Sequence, residues 1–355
     1  MKLRQRVDGD WRIALTWFAV LLAIGGNWGA KIVAQDAAFL PACRLPVLDN
    51  DTAWQRLPKT VAEPVDRRLP IWARALVGPL PQTTAAMLEL DHLYRTSEAI
   101  EPRLRGAMRW TAARANHCDL GQQYAEADLL RAGMTRDEVD GLEATIAAWP
   151  AKERAAIAFA RKLTLSASTI SDDEVAELVA AFGEPAVVAI VLQTAYANFQ
   201  DRLLLALGVA VEPEGPLPPL AVRFVAPGRD DKIAATRPKL EPAAAASSLK
   251  DVGPGAEWAA VPFDQLVRAM QAQRALPGRV SVPMWQDVHP RLPAESYRAD
   301  RPVRIKWSLV VLGHQPKMGV AWHKCLRTFA READQDRVLE ESLFWVITRT
   351  IDCFY

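Results

Sequence analysis

The run Leu104-Arg105-Gly106-Ala107-Met108-Arg109-Trp110-Thr111-Ala112-Ala113-Arg114-Ala115-Asn116-His117-Cys118 aligns without a gap, at an offset of 235 residues, with Leu339-Glu340-Glu341-Ser342-Leu343-Phe344-Trp345-Val346-Ile347-Thr348-Arg349-Thr350-Ile351-Asp352-Cys353. Leu104, Trp110, Arg114 and Cys118 coincide with Leu339, Trp345, Arg349 and Cys353. Upstream, the same offset relates Arg56-Leu57-Pro58 to Arg291-Leu292-Pro293, Trp72 to Trp307, Gly78 to Gly313, Pro81 to Pro316 and Ala86 to Ala321. Tryptophan, glycine, proline and cysteine are scarce or conformationally special, so their ungapped coincidence points to an internal duplication. The first copy continues past Cys118 to about Val209. The second reaches Tyr355 two residues after Cys353 and is expected to be truncated.

From Leu69 to about Val209 the pattern is helical. Thr135 to Glu138 and Ser171 to Glu174 each place a hydroxyl three residues ahead of a carboxylate before an apolar-periodic run, the signature of a capping box. Gly133 precedes the first box, and Gly183 with Pro185 follows the second; these mark helix stops. Strand-like alternation is nearly absent, so a bundle of about six helices is expected. In the second copy, helices are expected over Ile305–Leu312, Met318–Arg331 and Arg337–Thr350. The fold class is therefore all-α: two helical bundle units, the second incomplete, joined by a Pro/Ala-rich linker. The expected divisions are an export signal or anchor over 1–36, a lead-in over 37–68, a helical domain over 69–210, a linker over 211–257 and the second unit over 258–355. Eight prolines between Glu212 and Gly255, with the run Ala243 to Ala246, make that linker extended.

Half of the 355 residues are apolar, enough for two cores of ordinary size. Lysine plus arginine (43) balances aspartate plus glutamate (42), so nothing favours a nucleic-acid partner. Lys2, Arg4 and Arg6 precede an apolar run from Ile13 to Ile24, and small residues follow. This order fits an export signal or an uncleaved membrane anchor, and either places the protein outside the cytoplasm, periplasmic or anchored through its N-terminus. Asp8, Asp10 and Arg12 weaken the signal pattern and leave a buried helix as the competing reading. Four widely spaced cysteines (Cys43, Cys118, Cys325, Cys353) do not build a disulfide scaffold, and none has zinc-ligand spacing. No metal or other cofactor is expected.

The run Leu104 to Cys118, the segment Leu130-Arg131-Ala132-Gly133-Met134-Thr135-Arg136-Asp137-Glu138-Val139, Phe159 to Thr164 and Ala197-Asn198-Phe199-Gln200-Asp201-Arg202 together resemble the alkylhydroperoxidase D-like and carboxymuconolactone decarboxylase family over about 140 residues of the first copy. The resemblance implies an active-site pattern of Glu, eleven residues, Cys, two residues, Cys, three residues, His. In the first copy Cys118 matches the leading cysteine, while Gly106, Gly121 and Ala125 stand where Glu, the second Cys and His belong. In the second copy Glu341 and Cys353 have the required separation, and the second cysteine would fall just after Tyr355.

That pattern has a chemical reason. A thiolate attacks the peroxide, a second thiol one helical turn away traps the sulfenic acid, and a histidine on the same face moves the proton. Twelve residues of unbroken helix would separate Glu341 from Cys353 by roughly 18 Å, so the chain must reverse between them, with Asp352 as a cap for the next helix. Asn116 could cap similarly in the first copy. The expected function is thus a thiol-dependent hydroperoxide reductase of peroxiredoxin type, with Cys353, Glu341 and the degenerate Cys118 as site residues. A hydroperoxide and a dithiol reductant would be its partners and a homo-oligomer its assembly. The alternatives are a decarboxylase-like enzyme without redox chemistry, for which no matching acid/base set is found, and a catalytically inactive helical assembly module. Cys43 and Cys325 are read as inert and His117 as a surface residue. His314 and His323 are structural, and the pairs Trp72/Trp307 and Trp110/Trp345 are core anchors.

Overall fold

A computed structural model describes residues 43–225, 262–275, 277–294, 296–333 and 335–350. The export-signal segment, Cys353 and most of the linker lie outside the described residues. The architecture is all-α apart from one small two-stranded antiparallel sheet. In chain order the elements are α1 (Asn50–Arg56), β1 (Thr60–Ala62), α2 (Ile71–Leu76), α3 (Pro81–Thr96), α4 (Pro102–Ala115), α5 (Asp119–Arg131), α6 (Arg136–Asp140), α7 (Leu142–Ala147), α8 (Ala151–Ser166), α9 (Asp172–Phe182) and α10 (Glu184–Leu207). There follow β2 (Arg223–Phe224), α11 (Phe263–Ala275), α12 (Trp285–Val288), α13 (Lys306–His314), α14 (Pro316–Glu332) and α15 (Arg337–Thr350). Among the described residues no single helix is long and apolar enough to cross a membrane.

Local chemistry sets these boundaries. Pro81 and Pro102 sit in the first turns of α3 and α4, where a missing N–H costs nothing, and the Glu101 carboxylate accepts from Leu104 N at 2.9 Å. Both expected capping boxes are present, at Thr135/Glu138 and Ser171/Glu174. Gly183 (φ +78°) turns the chain from α9 into α10, and Gly208 (φ +65°) ends α10 in the left-handed conformation that glycine adopts without strain. Nine α-helices, α2 to α10, lie between Leu69 and Val209, against the about six expected; six of them, α3, α4, α5, α8, α9 and α10, are longer than ten residues.

The offset recurs in the element boundaries. Pro81 and Pro316 both open a helix, Pro102–Ala115 corresponds to Arg337–Thr350, and Ile71 and Lys306 begin α2 and α13. Two cores organise the first unit. One, with Leu104, Met108, Trp110, Leu129, Phe159 and Ile190, lies between α4, α5, α8, α9 and α10. The other joins Trp54, Trp72, Tyr94 and Tyr196 to Val311, Met318, Trp322 and Leu326, so residues from both units share one interior. Trp322 meets the rings of Tyr94, Tyr196 and Phe199 at 6.2, 6.4 and 5.8 Å.

Two expectations change. Residues 211–225 are not a free linker: Glu212 accepts from Ile71 N and Tyr124 Oη at 2.9 and 2.8 Å, Leu217 O accepts from Arg95, and Phe224 N donates to Glu89 at 2.7 Å. The prolines here forbid helix but permit an extended strap bonded to side chains. The tryptophan equivalence also breaks in part. Trp72 and Trp110 are buried, whereas Trp307 is half-buried and Trp345 is 46% exposed; among the described residues α5, α8 and α10 pack on α4 but not on α15.

His323 is buried, and its Nδ1 shares a hydrogen bond with Tyr297 Oη at 2.9 Å. Burial, helped by the charge of Arg327, depresses its pKa to about 3. The sign is fixed: a depressed histidine contributes stability that is complete above its unfolded pKa of 6.5 and is lost as pH falls towards about 3. Position 88, its equivalent, is Leu88. His323→Leu is expected to flatten the pH dependence of unfolding free energy between pH 6 and 4 by about 1 kcal/mol per pH unit, measured by urea titration, at some loss at neutral pH from the unpaired Tyr297 hydroxyl.

Candidate functional site

The turn from α4 into α5 carries the only expected site residue of the first copy. Asn116 closes α4, His117 adopts φ +55°, and Cys118 is the N-cap of α5, its sulfur accepting from Gly121 N at 3.4 Å. The chain thus reverses between Gly106 and Cys118, while the reversal expected between Glu341 and Cys353 falls partly outside the described residues. Cys118, not Asn116, is the cap. Asn116 instead donates from Nδ2 to Asn198 Oδ1 and to Asp201 Oδ2, both at 2.9 Å. Asn198 in turn donates to Thr164 Oγ1 at 3.0 Å, so α4, α8 and α10 are tied at one point.

The helix N-terminus does not activate this thiol. Cys118 is 1% exposed, and burial, reinforced by the neighbouring Asp201 carboxylate, pushes its pKa up to about 12 despite the Gly121 N–H. Asp201 is fully buried, and burial lifts its own pKa to about 6. The positions that the resemblance assigns to chemistry are filled by packing. A Cβ at Gly106 would meet the Leu129 side chain at 2.6 Å, and one at Gly121 would meet Asp201 Oδ1 at 2.2 Å. Ala125 is fully buried in the core.

Next to this point lies a buried polar network. Asp91 accepts from Tyr196 Oη and Gln200 Nε2 at 2.8 and 3.0 Å and pairs with Arg95 at 3.3 Å. Arg95 also holds Asp128 through two bonds of 2.9 and 2.8 Å and lies over the Tyr124 ring at 5.0 Å. Arg109 donates to Gln200. The sequence places Asn198, Gln200 and Asp201 in one helix without revealing that all three face inward; polar residues recurring within the apolar run of α10 are the signal.

These positions overturn the hydroperoxide-reductase reading. Among the described residues no second cysteine stands at Cys-x2-Cys spacing, and no group of three His, Cys, Asp or Glu could hold a metal ion. Glu341 lies on the exposed side of α15, 3.9 Å from Arg337. Cys353 falls outside the described residues. Cys325 is buried as well, its thiol likewise raised to about 12. Iodoacetamide at pH 8 is therefore expected to leave Cys118 and Cys325 unmodified in the folded protein and to label both in denaturant. Peptide mass spectrometry reads this, and rapid native labelling of Cys118 would contradict the sealed site.

The second surface of interest is α15 itself. A shallow hollow along it is lined by Arg337, Val338, Glu341, Ser342, Trp345 and Val346. Leu339 and Leu343, also on α15, are 54% and 48% exposed. Comparison of the chain with protein-family models, curated proteins and solved structures finds no match.

Proposed function

We propose that the chain is a duplicated helical bundle, built on the framework its sequence resembles, that serves as a protein-assembly module and binds an amphipathic helix of a partner protein along α15. One observation carries this reading. Leu339 and Leu343 stand outward on α15, while their equivalents Leu104 and Met108 are buried on α4. Exposed apolar surface of this extent marks an interaction site in a folded protein. The first unit supplies the shape of the occupant: α5 crosses the matching face of α4, with Leu129 seated over Gly106. On α15 a carboxylate, Glu341, replaces that glycine, so the partner helix carries a cation where α5 carries Leu129.

A labelled peptide of residues 117–133 with Leu129→Lys is the probe. Under reducing conditions it is expected to bind the full chain, read by fluorescence anisotropy, and to lose at least tenfold in affinity against Leu339→Glu. That residue is exposed, so the fold is kept. Absent binding, or equal binding to Leu339→Glu, would remove the proposal.

A further inference from the structure

Helices α3 and α14 begin at equivalent positions and pack against each other in opposite directions. At one end Gln82 N and Thr83 N, in the first turn of α3, donate to the Glu332 carboxylate at the close of α14, at 2.8 and 2.6 Å. At the other end Ser97 Oγ lies 4.0 Å from Met318 Sδ. Position 318 is the equivalent of 83, and 332 is the equivalent of 97, so the repeat operation exchanges the two end contacts. Midway, Glu89 pairs with Lys324, its own equivalent. A position that touches its own equivalent lies on the twofold axis of an isologous interface, the geometry of a homodimer.

Residues at that axis decide which copies pair. First unit with first unit would set Glu89 against Glu89, and second with second would set lysine against lysine; the first with the second sets opposite charges together. The anchor beside the axis is also asymmetric: Trp322 fills the space between Tyr94, Tyr196 and Phe199, where the equivalent position carries Met87. The halves of the interface are joined through residues 226–262, a stretch of 37 residues that spans up to about 120 Å when extended.

We infer that the α3 face is a self-recognition surface, that the Glu89–Lys324 pair selects first-with-second pairing across it, and that a second copy of this chain can supply α13 and α14 in trans as an exchanged dimer. The inference stands on the α3–α14 packing and is independent of helix binding at α15. Exchange of an identical element between copies forms no new kind of contact, so a closed monomer and an exchanged dimer differ mainly in chain entropy and in effective concentration.

The experiment uses full-length chains of opposite axis charge. Glu89→Lys and Lys324→Glu each place like charges at positions 89 and 324 within one chain, yet each complements the other between chains. Mixed in equal amounts they are expected to give a species of twice the 39.2 kDa monomer mass by light scattering on size exclusion, at least tenfold more abundant than in either variant alone. The double variant Glu89→Lys/Lys324→Glu is expected to be monomeric and to melt above both singles. Glu89 also accepts from Phe224 N, but that acceptor is missing from the Glu89→Lys single and from the double alike, so their difference isolates the axis charge. A mixture no more dimeric than its components, or a double variant no more stable than Glu89→Lys, would overturn the inference.

Discussion

Replacing Arg95 with methionine is expected to cost about 3–5 kcal/mol of unfolding free energy, enough to leave much of the protein unfolded at 25 °C if its total stability lies near the lower end of the usual range. The guanidinium is almost fully buried, paired with Asp91 and Asp128, and donates to Leu217 O at 2.8 Å. Burial alone would push Asp128 above the normal carboxylate range, but Arg95, with help from Arg109 and Arg131, outweighs burial and holds it below. Removing the cation strands the Asp91 carboxylate in a low-dielectric interior, where the penalty is the unpaired charge and not the lost bond, while Asp128 loses one of its two cations and keeps Arg131 at 2.6 Å. Asp91→Asn in the same chain is expected to recover part of the loss, since it removes one stranded charge while an amide oxygen can still accept from Tyr196 and Gln200. Arg95→Lys keeps the charge but not the forked geometry and is expected to fall between. The strap over residues 211–225 is fastened partly through Leu217, so limited proteolysis there is expected to quicken in Arg95→Met. Chemical denaturation with a loss below about 1 kcal/mol would show that the network is dispensable.

Much of the helical frame is legible because its signals are local. A hydroxyl and a carboxylate three residues apart specify a helix start wherever they occur, and the proline of the first turn does the same for α3, α4 and α14. The offset is legible for a different reason: tryptophan and proline are rare enough for position alone to carry information. What the sequence does not display is burial that depends on distant segments. Trp110 and Trp345 occupy equivalent positions in helices of equal length, yet the first is buried and the second is 46% exposed. The strap behaves likewise, since a proline-rich run shows where helix is impossible but not that Tyr124, Arg95 and Ile71 wait to bond it.

At the candidate site, sequence and structure part over charge. Spacing locates Cys118 at a helix start, which in isolation would lower the thiol pKa. The opposing factors are burial of the sulfur, which is the larger, and the carboxylate of Asp201, which is 83 positions away in sequence and beside the sulfur in space. Residue spacing does not reveal that the Asp201 carboxylate fills the space beside position 121. With Asp201 in place, the turn from α4 to α5 becomes a fastening point for three helices through Asn116 and Asn198.

Placing a cysteine at position 121 tests that conclusion with the second large effect. Gly121→Cys is expected to destabilise the protein by roughly 3 kcal/mol or more and to form no disulfide between Cys118 and the introduced thiol, because the new Cβ would lie 2.2 Å from Asp201 Oδ1 and 2.9 Å from Ala113 Cβ. Neither neighbour yields easily: Ala113 is fully buried within α4, and the Asp201 carboxylate is held by Asn116. Asp201→Ala clears the space and removes a carboxylate whose raised pKa makes it an unfavourable buried anion at neutral pH. Because that pKa is raised to about 6, the stabilising contribution of Asp201 is full below its unfolded pKa and is lost as pH rises through about 6, so the substitution is better tolerated at pH 8 than at pH 4. The double variant Gly121→Cys/Asp201→Ala is therefore expected to regain at least half of the loss at pH 8. This interaction energy, larger than the few tenths seen between independent sites, is measurable by a double-mutant cycle in urea. Were Gly121→Cys alone to fold with wild-type stability and its new thiol to oxidise onto Cys118, the carboxylate would not be the group that closed this site.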